Sequence, residues 1–99
     1  MITISVVVTL SIPSALSLKD KRFVVRSLVE RLRQRLHVAA AEVGMQDVVQ
    51  SGQIGFAVVS GDRGVARHLA DEAHRFIEQE LVGRAEIVDV VVDEMEIEG

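Results

Sequence analysis

Cysteine is absent from the 99 residues, which excludes disulfide staples, thiolate metal sites and cysteine nucleophiles. Tryptophan and tyrosine are absent too, and phenylalanine occurs only as Phe23, Phe56 and Phe76. A surface that stacks successive bases or sugars on aromatic rings is therefore nearly excluded. The opening MITISVVVTLSIP has no basic stretch, and Thr3, Ser5 and Thr9 interrupt its apolar run. Neither a signal peptide nor a membrane span is expected, and the cytoplasm is the expected location. The rest is ordinary for a globular chain, 48 % hydrophobic and 26 % charged, and the length fits one domain over residues 1–99 with an aliphatic core.

The formal net charge of −4 hides two opposite halves. Residues 1–45 carry seven Lys/Arg against Asp20, Glu30 and Glu42, whereas residues 46–99 carry four against twelve acids. The charges are clustered: all seven bases of the first half, Lys19, Lys21, Arg22, Arg26, Arg31, Arg33 and Arg35, lie together, and Glu86 to Glu98 hold six acids and no base. Such a layout fits an anionic partner at one end and fits equally a protein that pairs with copies of itself.

Periodicity supplies the elements. Ile2 to Ile12 alternate apolar with polar or small residues, as a half-buried strand does, and Pro13 ends the run. Ser17-Leu18-Lys19-Asp20 has the form of a capping box, and a helix to about Leu36 follows, with Val25, Leu28, Val29, Leu32 and Leu36 on one face and Lys19, Arg22, Arg26 and Arg33 on another. His37 to Val43 reads as a short strand, Gly44 to Gly52 as a loop, and Gln53 to Ser60 as a central strand. Asp62 caps a second helix whose expected stripe is Val65, Leu69, Ala73, Phe76, Ile77 and Leu81; Gly83 closes it, and Arg84 to Ile97 form the last strand. The order βαββαβ is that of an α+β ferredoxin-like fold, an antiparallel four-stranded sheet with both helices on one face and the first and third strands central. Its other face is expected to show Val7, Ala39 or Ala41 and some of the valines at 88–92, a surface suited to self-association, and the last strand is an edge that another chain can extend.

The string Ser17-Leu18-Lys19-Asp20-Lys21-Arg22, with Val25, Leu28 and Arg31-Leu32-Arg33 after it, resembles the signature of the YlxP-like family of small bacterial proteins. The similarity runs on through Val38, Ala39, Glu42-Val43, Asp47 and Gly55-Phe56-Ala57-Val58-Val59-Ser60, and departs at Leu36-His37, where the family tends to Phe-Asn. The resemblance implies a ferredoxin-like domain and a gene set among those of translation and ribosome maturation, near that of ribosome-binding factor A. It implies no catalytic residue.

Among candidate sites, Lys19, Arg22, Arg26 and Arg33 form a stripe that, with Lys21 as a further phosphate contact, could neutralise phosphates of structured RNA or a ribosomal subunit; the bland reading is a solvated helix face. No DNA specificity is expected. Met45, Val48 and Val49 make an apolar loop tip, read as an interaction point or as a lid on the core edge. His68, Asp71, Glu72 and His74 read as a mixed-charge face rather than a metal site, so no metal and no cofactor are expected. Ser60 to Gly64 lacks the spacing of a phosphate-binding loop. An acylphosphatase-like reaction would need an Arg with an Asn, and the chain has no Asn. The expectation is a non-enzymatic accessory protein of translation that binds RNA through the first helix, with a homo-oligomeric interaction module as the alternative.

Overall fold

The first strand, β1 (Ile2–Ser11), decides the layering. Ile2, Ile4, Val6, Val8 and Leu10 are buried on one side, and Thr3, Ser5, Val7 and Thr9 point to the other; each fully buried aliphatic contributes roughly 1.5–3 kcal/mol. Two helices cover the buried side. The computed structural model describes all 99 residues, Met1–Gly99, and continues with α1 (Leu18–Leu36), β2 (Ala39–Gly44), β3 (Ser51–Ser60), α2 (Arg63–Leu81) and β4 (Glu86–Glu96). All strand pairs are antiparallel, in the order β2-β3-β1-β4, which is the ferredoxin-like arrangement with β1 and β3 central.

Both helices begin as their sequences dictate. Ser17 Oγ accepts from the Asp20 amide at 3.2 Å and Asp62 Oδ1 from the Val65 amide at 2.9 Å. The Asp20 carboxylate accepts from the amide of Leu16 (3.0 Å), one residue further back than a reciprocal capping box requires. Gly83, at φ 78°, closes α2, because a residue without Cβ adopts that left-handed turn at little cost.

Several boundaries differ from expectation. His37 is not in β2: it sits at φ 54° as the α1 C-cap, and the strand starts at Ala39. Ser51 and Gly52 pair with Ser11 and Leu10, so β3 starts two residues early and the connecting loop is shorter than expected. Val65 is exposed. The buried stripe of α2 is Ala66, Ala70, Ala73, Ile77 and Leu81, because small alanines let the helix approach β1 and β3 closely, leaving Leu69 and Phe76 on its flanks.

The uncovered sheet face is built from small groups. The register places Ala41, Gly55, Val7 and Val91 in one row across all four strands. A Cβ on Gly55 would meet Val43 Cγ1 at 2.9 Å, so Val43 occupies the space that a side chain at Gly55 would take. In β4 the register shifts opposite Thr9/Leu10: Asp89 pairs with Thr9 and Ile87 with Leu10, leaving Val88 as the extra residue of a bulge. As a result Ile87, Val90 and Val92 lie on the helix side and Asp89, Val91 and Asp93 on the open face.

Candidate nucleic-acid interface

On α1 the period of 3.6 residues brings Lys19, Arg22 and Arg26 onto one outward face, all exposed. None of the three has an ion pair or a hydrogen bond within the chain, and Arg35 in the last turn is equally unpartnered. Arg31 is spent on Glu80 of α2 at 2.8 Å. Arg33 remains exposed, yet its Nε donates to the Ala40 carbonyl at 2.8 Å and so covers part of the β2 edge. Phe23 stands in the middle of this surface, 72 % exposed, beside a shallow hollow lined by Lys19, Arg22, Arg26, Ser27 and Glu30. An aromatic ring thus does face solvent among the cations, a feature that composition alone concealed.

Lys21 is the correction to the expected contacts. It is completely buried, because 21, 25, 28, 29 and 32 form the inward face of α1. Its ammonium donates to the carbonyls of Met45, Gln46 (3.1 Å) and Val48 (2.7 Å), which satisfies all three of its hydrogens without any carboxylate. Met45 itself sits at φ 55°, a left-handed conformation that is costly for a residue with a side chain. The loop is therefore built around the lysine. Met45 and Val48 are exposed on its outside, while Val49 packs against the core; Gln50 ties the loop to Pro13 and Ala15 through its side-chain amide (3.1 and 3.2 Å).

The cations of the second half are used differently. Arg67 grips Glu94 of β4 with two bonds of 2.7 and 3.0 Å, and Arg63 reaches Glu94 at 3.3 Å and Glu96 at 2.9 Å. The Arg67 hydrogen bond holds the Glu94 carboxyl below its usual pKa against a smaller opposing effect of desolvation, and Glu94 raises the pKa of Arg67 in return. His68 and His74 pair along α2 with Glu72 (3.1 Å) and Glu78 (2.5 Å). No group of three or more metal-ligating side chains is assembled anywhere in the chain. No helix is long and apolar enough to cross a membrane.

Comparison with known proteins places this geometry. The family described as "Protein of unknown function (DUF503)" matches residues 3–92. A Bacillus subtilis (strain 168) protein, "Uncharacterized protein YlxP", is 38 % identical over 47 residues, 48 % of this chain and 51 % of that protein; the match thus spans about half of the curated relative. Among solved structures, a de novo designed protein with ferredoxin fold superposes with a TM-score of 0.61 at 13 % identity, over 100 % of this chain and 89 % of that one. A dimeric ferredoxin-like protein from an uncultured marine organism gives 0.53 at 12 % over the whole of both chains. A dimeric protein of ferredoxin-like fold from Bacteroides fragilis NCTC 9343 gives 0.51 at 11 %, over 96 % of each. At such identities the likeness is one of fold.

Proposed function

The chain belongs to the DUF503 family, and from that premise we propose that it is a non-catalytic binding protein whose outward α1 face docks structured RNA, ribosomal RNA being the first substrate to test. The observation that carries the reading is the set of unpartnered cations Lys19, Arg22 and Arg26 around the exposed ring of Phe23. Guanidinium and ammonium groups without internal partners contact phosphates at no cost in broken ion pairs, and each contact releases counterions. A single ring takes one unpaired base, at a bulge or loop, rather than a run of bases. Arg33 adds charge from the next turns, whereas Lys21 supports the surface from beneath.

The test is co-sedimentation of the purified protein with ribosomal subunits and with deproteinised ribosomal RNA across a salt series. Retention that falls steeply with salt is expected; no retention at low salt overturns the reading. A second reading, self-association through the open sheet face, is favoured by the low row Ala41-Gly55-Val7-Val91 and by the dimeric state in the names of two neighbours. Light scattering that returns a strict monomer at micromolar concentration removes it.

A further inference from the structure

The sheet has two free edges, and they are treated differently. On the β2 side the edge is six residues long, irregular between Glu42 and Gly44, and partly occupied by Arg33 on the Ala40 carbonyl. On the β4 side it is eleven residues long, contains neither Pro nor Lys, and is guarded only by the bulge at Val88 and by its acidic side chains. Beyond the ladder to β1, no backbone group of residues 86–96 makes a hydrogen bond. Past the bulge at Val88 the strand pairs regularly up to Glu96.

Charge separates along the two faces of this strand. Glu94 and Glu96 are neutralised by Arg67 and Arg63, but Glu86, Asp89 and Asp93 have no cation partner. Asp89 and Asp93 share the open face with Val91 between them. On the helix side, a groove between α2 and β4 is floored by Val90 and Val92, walled by Ala70, Asp71 and His74, and bordered by the Arg67–Glu94 pair. A second copy pairing its own β4 here in the register centred on Val91 would set each Asp89 opposite the other chain's Asp93, a destabilising arrangement of like charges.

We infer that the β4 edge docks an extended cationic peptide segment of another protein as a fifth strand. The segment has Lys or Arg at two positions four apart, facing Asp89 and Asp93, and apolar residues one and three positions after the first of them, seated in the groove beside Val90 and Val92. Main-chain bonds supply affinity and the alternating side chains supply specificity. This surface lies on the opposite side of the sheet from β2 and α1 and does not depend on the RNA reading.

The probe is a labelled peptide with the core Lys-Val-Thr-Val-Lys, compared with one carrying Glu-Val-Thr-Val-Glu, titrated against the full chain by fluorescence anisotropy and by amide shifts in NMR spectra. The lysine peptide is expected to bind, with shifts concentrated at residues 86–96, and the glutamate peptide to bind at least about tenfold more weakly. D89K/D93K, at exposed positions, should reverse that preference, whereas R22E/R26E should leave it unchanged. The inference is overturned if neither peptide binds, if the shifts fall on α1 or on β2 and β3 instead of β4, or if D89K/D93K binds the lysine peptide as well as the parent does. A β4 edge already protected from amide exchange in the free protein by a second copy overturns it as well.

Discussion

The two helices are equally long, nineteen residues each, yet their cations meet different ends. Arg63 and Arg67 of α2 are absorbed by Glu94 and Glu96 a strand away. Lys19, Arg22 and Arg26 of α1 form no ion pair, although Glu30 lines the same hollow. The reason is topological: α1 packs over β2 and β3, where Glu42 is the only acid, whereas α2 runs alongside β4, which is rich in them. A count of charges along the chain locates an electrostatic surface; the identity of the neighbouring strand determines whether that charge is available to a partner.

The hardest blow to this contrast is at Lys21, which belongs to the basic segment in sequence and to the interior in space. Lys21→Met should cost about 2 kcal/mol in urea unfolding, because three part-buried loop carbonyls lose their donor together. RNA affinity of the folded fraction should be nearly unchanged, and a protein that stays stable but loses RNA would return Lys21 to the binding face. Next, R22E/R26E should weaken RNA binding by on the order of 10²-fold at low salt and lower the salt slope by about 2, while R63E/R67E leaves both within about twofold. Equal losses from the two pairs would erase the distinction between spent and available cations. Phe23→Ala should keep stability but reduce binding to a bulged RNA hairpin by about 1–2 kcal/mol relative to a plain duplex, read by competition.

The smallest effect concerns the paired side. Glu94 has a lowered pKa in the folded chain, so its contribution is complete above the ordinary carboxylate range and disappears as pH falls through the lowered value. A modest acid-side drop in melting temperature, below about pH 4.5, should be missing in Glu94→Gln. An unchanged acid limb in that variant would show that the tether to Arg67 contributes nothing to stability.

The strands, helices and their order were legible because the apolar periods are clean: Ile2 to Leu10 alternate, Ser17 and Asp62 cap, Gly83 stops. The site was legible only in part. At Lys21 and Phe23 the polarity of the side chain is the inverse of its position, charged inside and aromatic outside. The spacing of Lys21 from Val25, Leu28 and Leu32 was the available signal, and it pointed inward; side-chain type obscured it. Which loop carbonyls would meet that ammonium depends on a contact across more than twenty residues, and local patterns carry no information about it. The stripe of α2 was legible at Ala73, Ile77 and Leu81 and misplaced in its first turns, since Ala66 and Ala70 weigh little on any hydrophobic scale but permit a close approach to the sheet.

The bulge at Val88 gives β4 a freedom that its neighbours lack. Strict alternation from Val90 backwards would turn Glu86 toward the helices and Ile87 toward solvent; the one surplus residue resets the phase, so that Ile87 covers the core edge and Glu86 stays in water. The two ends of the strand are thereby decoupled as far as sidedness goes. The segment before the bulge is tied to the packing of Leu81 and Leu10, and the segment after it can exchange residues on its open face without disturbing that anchor. Removing Val88 would shorten the strand by one residue and leave an unbroken ladder, with Ile87 still opposite Leu10 and Asp89 opposite Thr9. Both ends of the strand would keep their faces, so a single-codon deletion at this position is absorbed by loss of the bulge and the strand is not inverted.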